Sequence, residues 1–212
     1  MVAAAIAAAL VDRGERVAAF KPALTGTDEV PEPGWPPDDE LLASATGQKP
    51  ADVAPLRFGP PVSPHLAAEL AGRPIEPRAV VAAARAAAAN ADLLIVEGVG
   101  GILVPLTLDF SVRDLARELA LPVVIAARPG LGTINHTLLT IEALRAVGME
   151  PAGVVLTPWP ADPGAVERSN RETIAVVGAI AVAVLPRLAR ADARALAAAG
   201  AALPLERWIS GA

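Results

Sequence analysis

Apolar residues occur along this chain in short unbroken runs, separated by longer segments in which apolar and polar positions mix. Runs without alternation are typical of strands buried on both faces of a parallel sheet. The runs that predict strands are 16–20, 93–96, 122–126, 152–156 and 179–185. Their spacing predicts an α/β fold, with a doubly wound, mostly parallel sheet and helices on both faces.

The segments between these runs carry residues that favour helix ends. Ser111 with Asp114 three positions later approximates a capping box, and either Asp38 or Asp39 is a candidate cap for a short helix at 40–47. SVRDLAREL, which begins at Ser111, is also a predicted helix, as are 2–11, 65–71, 76–90, 133–147, 162–176 and an Ala-rich segment before the tail LPLERW. We also predict a strand at 53–58, and loops at 25–37 and 101–110.

Composition and charge exclude several classes of function. The net charge of −5 and an aromatic content of 3% argue against a nucleic-acid-binding surface. The absence of cysteine excludes disulfides and thiolate chemistry, and only two histidines argue against a histidine-ligated metal or a catalytic triad. The longest uncharged run, 174–186, is shorter than the roughly 20 residues of a membrane helix. We therefore expect a cytoplasmic protein.

The basic residues are strongly biased toward arginine. Of the eighteen, only Lys21 and Lys49 are lysines. Lys21 follows a predicted strand, in the sequence FKP, whereas Lys49 lies in a predicted loop. Because an ammonium is a compact point charge that a guanidinium does not replace, Lys21 is a candidate functional residue.

The stretch DLLIVEGVGG, residues 92–101, ends a predicted buried strand with an acid and three glycines. Ligands of open α/β sheets bind at the carboxyl ends of such strands. Glu97 could there hold a hydrated Mg²⁺, and the glycines could bring backbone N–H groups close to an anion. A tight turn with a solvated glutamate fits the stretch equally well, so the residues alone leave both interpretations open.

Five stretches together resemble the dethiobiotin synthetase family. They are FKPALTG at 20–26, DDELL at 38–42, PVSPHLAAELAGRPIE at 61–76, VEGVGGILVPL at 96–106 and PGLGTINHTLLT at 129–140. Their order and spacing match as well, and the resemblance covers nearly all of residues 1–212, taken as one domain. The motif VEGxGG also occurs in related cobyrinate-type amidotransferases, so it is the combination that is specific.

The resemblance implies a P-loop NTPase-like fold, a homodimer and a place in biotin biosynthesis. Members of the family are ligases that form C–N bonds. They use MgATP and CO₂ (or bicarbonate) to close a ureido ring on 7,8-diaminononanoate. A carbamate forms on one amine, ATP phosphorylates it, and the second amine attacks the mixed anhydride.

Site residues follow by position from the same resemblance. Lys21 matches the catalytic lysine, Thr25 a substrate contact, and Asp38 and Glu97 the Mg²⁺ ligands, with Asp39 as the competing choice for Asp38. The other nucleotide contacts match Gly98, Val99, Gly100, Pro186, Arg187 and Leu188. The loop for the substrate carboxylate, used across the dimer interface, matches Gly132, Thr133, Ile134 and Asn135. His65 is assigned equally to the site and to a structural role.

Two departures from the family pattern matter. The family's first strand and its G-x-x-x-x-G-K-T loop have no match, because the printed chain opens in the helix that follows them. We expect that Met1 is a misplaced start and that the chain as printed is impaired. A stop codon upstream of Met1, before any such motif, would contradict the misplaced start. A missing central strand would leave its two neighbours with unpaired backbone groups.

The second departure concerns the nucleotide base. Thr157 and Pro158 stand where the family commonly has an Asn-Asp pair that holds adenine. We expect looser base selection as a result. Alternative functions are a related ATP-dependent amidotransferase-type enzyme, or a non-catalytic or regulatory relative that has lost nucleotide binding.

Overall fold

A computed structural model describes residues 1–31 and 34–209; Glu32 and Pro33 of the predicted loop at 25–37 and residues 210–212 lie outside them. The helices are α1 Val2–Asp12, α2 Asp38–Thr46, α3 Pro50–Val53, α4 Pro64–Leu70, α5 Pro77–Ala87, α6 Val112–Leu119, α7 Thr133–Arg145, α8 Ala165–Val177, α9 Ala193–Ala201 and α10 Leu205–Ile209. The strands are β1 Val17–Phe20, β2 Leu93–Val96, β3 Pro105–Thr107, β4 Phe110–Ser111, β5 Val124–Ala127, β6 Gly153–Trp159 and β7 Val182–Pro186.

All strands predicted from the apolar runs exist, and they pair in parallel between helices, which confirms the α/β class. They form two sheets, however: β1 with β2, and β5 with β6 and β7. Among the described residues, β2 and β5 each bond a neighbour on one side only. Leu93–Val96 is half-buried and Ala126 is exposed, although both runs were predicted to be buried on both faces.

The Ala-rich helix α1 joins the two sheets into one core. Its buried residues belong to a cluster that includes side chains of β1 and β6. Ala5 of α1 lies against Gly200 of α9 so closely that a Cβ at residue 200 would collide with the Ala5 carbonyl oxygen. Small side chains therefore allow α1 to approach both α9 and the strands, which a helix of larger residues could not do.

Three local predictions are wrong. Residues 50–53 form α3, with Pro50 in its first turn, so the strand predicted at 53–58 is reduced to one bridge between Leu24 and Arg57. The predicted loop at 101–110 contains β3 and the start of β4, a short antiparallel hairpin. Neither Asp38 nor Asp39 caps α2, because Pro37 is the residue before the helix.

The capping box at α6 is confirmed. The Ser111 hydroxyl accepts a hydrogen bond from the Asp114 N–H, and Asp114 accepts from the Ser111 N–H at 2.9 Å. Hydrogen bonds from the Ser111 side chain and backbone lower the pKa of Asp114. These contacts satisfy donors that a helix start otherwise leaves free.

Replacing Ser111 by alanine should lower the free energy of unfolding by about 1 kcal/mol, because one of these donors loses its acceptor. Urea unfolding measures the change. Ser63→Ala is the matched control, since Ser63 precedes α4 but makes no capping hydrogen bond. Equal effects of the two substitutions would contradict the assignment.

Within the described ranges, 1–31 and 34–209, no helix combines the length and apolar character needed to cross a membrane.

Candidate functional site

The parallel register of β1 and β2 brings a lysine and a glutamate together. Val17 pairs with Leu93 and Phe20 with Val96, so the next residues, Lys21 and Glu97, leave the two strands side by side. The Glu97 N–H donates to the Phe20 carbonyl at 2.9 Å and extends the ladder by one step. Both side chains thus lie at the carboxyl ends of neighbouring strands, where α/β sheets bind ligands.

Three of the predicted site residues meet at this point. Lys21 is 5% exposed, and its Nζ lies 2.7 Å from Glu97 Oε1 and 2.8 Å from Asp38 Oδ2. Asp38 comes from the first turn of α2. The other candidate, Asp39, has no exposed surface and pairs with Arg57 instead. The geometry therefore favours Asp38 over Asp39 as the second carboxylate beside Lys21. Lys21, Asp38 and Glu97 together form the lysine group.

The electrostatics of the group keep the lysine charged. Burial acts to lower the pKa of Lys21, but the charges of Glu97 and Asp38 outweigh it, so the pKa is raised above its ordinary value. Burial likewise acts to raise the pKa of Asp38, and the Lys21 ammonium lowers it overall. Lys21 can therefore stabilise negative charge at neutral pH, but it cannot serve there as a proton acceptor.

Gln48 supports β1 on its outer edge, a role that the sequence analysis missed. Its side-chain oxygen accepts from the Ala19 N–H at 2.6 Å, and its amide nitrogen donates to the Ala19 carbonyl at 3.3 Å. The amide thus replaces a neighbouring strand just before Lys21. A glutamine in a polar loop gives no sequence signal for such a contact.

The glycine turn after β2 is exposed and conformationally demanding. Gly100 has a φ of +67°, and a Cβ there would lie 2.9 Å from the Val104 side chain. Gly98 and Gly100 are exposed and Val99 is half-buried. Larger residues at Gly100 would be strained, and the exposed turn leaves its backbone open to an anionic ligand.

The loop at the start of α7 lines a cavity that is separate from Lys21, Asp38 and Glu97. Gly132, Ile134 and Asn135 line a cavity of ≈ 470 Å³ whose lining does not include Lys21, Asp38 or Glu97. Thr133 is buried, and its hydroxyl lies 3.4 Å from that of Thr137, so the side chain faces the interior. The start of the helix can therefore offer backbone N–H groups, but not the Thr133 hydroxyl.

Asn170 holds this loop in place and was also missed. Its side-chain nitrogen donates to the carbonyls of Pro129 and Gly130 at 2.8 and 3.0 Å. Asn170 lies on α8, forty residues further along the chain, so no local pattern in the sequence marks the contact.

The residues predicted for the base edge lie at the carboxyl ends of β6 and β7. Pro186 pairs with Trp159, and the Arg187 N–H donates to the Trp159 carbonyl at 3.3 Å. The Thr157 hydroxyl is buried, with no hydrogen-bond partner in the described part of the chain. Thr157, Pro158 and residues 186–188 therefore lie at the carboxyl ends of two neighbouring strands of the second sheet.

Thr25 and His65 lie outside the lysine group. Thr25 is half-buried on the connection that follows Lys21. His65 lines a second cavity of ≈ 450 Å³, together with Arg73 and Thr107, and its Nδ1 has no hydrogen-bond partner in the described ranges.

Known proteins resemble this chain over most of its length. A family model described as "AAA domain" matches residues 1–194. The chain is 43% identical over 182 residues to the ATP-dependent dethiobiotin synthetase BioD of Rhodococcus erythropolis, covering 85% of this chain and 78% of the relative. It is 45% identical over 157 residues to the enzyme of the same name from Anaeromyxobacter dehalogenans, covering 73% and 69%.

The chain belongs to the dethiobiotin synthetase family. A further relative of that name, from Rhodococcus jostii, is 43% identical over 189 residues, with 88% of this chain and 80% of the relative covered. These matches confirm the family and the fold class predicted from the sequence.

The donor set of the site fits the Mg²⁺ that the dethiobiotin synthetase family implies. Mg²⁺ is usually bound by one or two carboxylates, with waters and substrate phosphates completing the octahedron. Asp38 and Glu97 supply two carboxylates within reach of one cation, Lys21 Nζ. No group of three or more acidic, histidine or cysteine residues suited to an all-protein metal site occurs in the described ranges.

Proposed function

We propose that this protein catalyses the ATP-dependent carboxylation and ring closure of 7,8-diaminononanoate to dethiobiotin, in biotin biosynthesis in the cytoplasm. The observation that carries the proposal is the buried Lys21 ammonium between Asp38 and Glu97, at the carboxyl ends of β1 and β2. Relatives that cover most of the chain carry the name of this activity.

The reaction makes and loses anions, and the chain has groups suited to each. One amine of the substrate attacks CO₂ and gives a carbamate; the carbamate oxygen takes the γ-phosphoryl group and ADP leaves. The second amine then attacks the carbonyl carbon, the ring closes, and phosphate leaves. Lys21 stabilises the charge on the carbamate and on the phosphoryl group, which is the main requirement of such a transfer.

Four further parts of the chain suit the metal, the phosphates, the base and the substrate carboxylate. Mg²⁺, held by Asp38 and Glu97, would neutralise charge on the phosphates. Backbone N–H groups of the turn at 98–100 suit the phosphates, and residues 186–188 suit the base edge. The N-terminus of α7, at Gly132–Asn135, suits the substrate carboxylate because its N–H groups and dipole attract anions.

We propose a homodimer in which this last loop serves the partner's lysine site. Within one chain, the cavity that this loop lines is separate from Lys21. The cavity is also lined by exposed apolar residues, Leu131 (99% exposed) and Leu139 (55% exposed). Apolar side chains exposed side by side favour a protein interface. Sedimentation velocity tests the dimer.

Formation of dethiobiotin and ADP from 7,8-diaminononanoate, bicarbonate and MgATP tests the function. A titration calorimeter measures MgATP binding on the same sample. Protein that binds diaminononanoate but neither binds MgATP nor forms dethiobiotin would contradict the proposal and favour the non-catalytic alternative.

We expect GTP and CTP to support the reaction with kcat/KM within about tenfold of that for ATP, because Thr157 has no carboxamide to hold adenine and its hydroxyl is buried. Pro158 has no N–H to add a second contact. Steady-state rates with each nucleotide check this. Thr157→Asn should raise the preference for ATP; strict use of ATP by the unchanged protein would contradict the expectation.

A further inference from the structure

An ion pair lies beside the lysine site without joining it. Asp39 has no exposed surface, although burying a carboxylate is costly unless it is paired. Its Oδ2 accepts a hydrogen bond from Arg57 Nη1, and its Oδ1 has no partner among the described residues. The preceding residue, Asp38, contacts Lys21 Nζ instead. Two consecutive carboxylates of one helix turn thus have separate cations.

Arg57 belongs to a segment that runs along the connection after Lys21. The Leu24 N–H donates to the Leu56 carbonyl, and the Phe58 N–H donates back to the Leu24 carbonyl, both at 2.8 Å. Nearer the lysine, the Lys21 N–H donates to the Val53 carbonyl at 2.8 Å. The segment at 53–58 therefore contacts Asp39 through the Arg57 side chain and also hydrogen-bonds the backbone of Lys21 and of Leu24.

We propose that Asp39 and Arg57 form a positioning pair that directs Asp38 toward Lys21. Successive side chains on a helix differ in direction by about 100°, so anchoring residue 39 fixes where residue 38 points. The pair joins α2 to the segment at 53–58, and that segment is bonded to the lysine's own backbone. Lys21 and Asp38 are thereby placed by one shared support.

The energetics of such a pair suit positioning better than stabilisation. The Arg57 side chain is 39% exposed, while Asp39 is wholly buried, so the pair loses hydration on the acid side without full shielding of the base. Pairs of this kind add little net stability, yet removing one partner leaves a buried charge uncompensated. The inference rests on the proposed function only in taking Lys21 and Asp38 as the reacting centre.

The two lysines of the chain make a direct test possible. In protein labelled with ¹³C-lysine, the side-chain Cε–Hε spectrum contains signals from Lys21 and Lys49 alone, and Lys49→Arg assigns them. Asp39→Asn and Arg57→Gln should each shift the Lys21 signal and leave that of Lys49 unchanged. The double variant should add little to either single one, because both remove the same contact. Glu40→Gln, which removes a charge from an exposed residue of the same helix, should shift neither signal.

A Lys21 signal unchanged in both single variants, with a lowered unfolding temperature, would overturn the proposal and leave the pair with a role in stability only. Arg57→Lys, which keeps the charge, provides a milder variant if the others do not fold, and its Lys21 signal should lie between those of the unchanged protein and Arg57→Gln. If the other variants do not fold, a Lys21 signal in Arg57→Lys identical to that of the unchanged protein would also overturn the proposal.

The spectrum needs no substrate, so its outcome is independent of whether the protein forms dethiobiotin. Where turnover is measured, Asp39→Asn and Arg57→Gln should lower the rate about 10- to 100-fold, as changes to residues that orient a site commonly do. Glu40→Gln should keep the full rate.

Discussion

Replacement of Lys21 by glutamine is expected to lower kcat/KM for dethiobiotin formation by about 1000-fold, or roughly 4 kcal/mol of transition-state stabilisation. Glutamine keeps most of the length of lysine but carries no charge. The carbamate and phosphoryl oxygens then lose a buried cation whose pKa its neighbours raise. Steady-state kinetics over pH 7 to 8 measure the loss, since the lysine stays fully charged throughout that interval.

The second lysine provides the control for this experiment. Lys49 is exposed and precedes α3. Lys49→Gln removes the same charge and should change kcat/KM less than twofold. Circular dichroism shows whether Lys21→Gln still folds, because its two carboxylates lose their common partner. A folded Lys21→Gln variant with near-normal turnover would rule out the proposed role.

Glu97→Gln should reduce turnover about 100-fold and make it depend on a higher Mg²⁺ concentration, because a carboxamide binds a hard cation more weakly than a carboxylate. The substitution keeps the size of the side chain and the hydrogen bond to Lys21. Rates measured over a series of Mg²⁺ concentrations should show partial recovery at the high end. Glu69→Gln, which changes an exposed glutamate of α4, should leave the Mg²⁺ dependence unaltered. An unchanged Mg²⁺ dependence in Glu97→Gln would show that Glu97 does not bind the metal.

Much of the lysine group could be predicted because it depends on short-range order. An unbroken apolar run indicates a strand, and its last residue lies at the edge of the sheet. The runs before Lys21 and Glu97 have this form, so the sequence alone predicts that both residues lie at strand ends. The sequence also favours Asp38 over Asp39, but the register that sets Lys21 and Glu97 side by side, and the contact of Asp38 with Lys21, are visible only in the structure.

The contacts that sequence reasoning missed join residues far apart in the chain. Gln48 bonds to Ala19, twenty-nine residues away, and Asn170 bonds to Gly130 across forty. Neither amide belongs to a repeating pattern. The strand predicted at 53–58 does not form for a local reason: Pro50 favours a helix start, and the helix takes up Val53.

The division of the strands into two sheets has a consequence for the span of the site. Lys21 and Glu97 follow strands of one sheet, and Pro186, the first of the residues proposed for the base edge, ends a strand of the other. Within the described part of the chain no strand bonds to both, so their separation depends on how α1 packs beneath them. The small alanine side chains of α1 would therefore set the distance that a nucleotide must span between residues 186–188 and Lys21. One methylene group added to a buried side chain of α1 should lengthen that distance, although it contacts neither residues 186–188 nor Lys21.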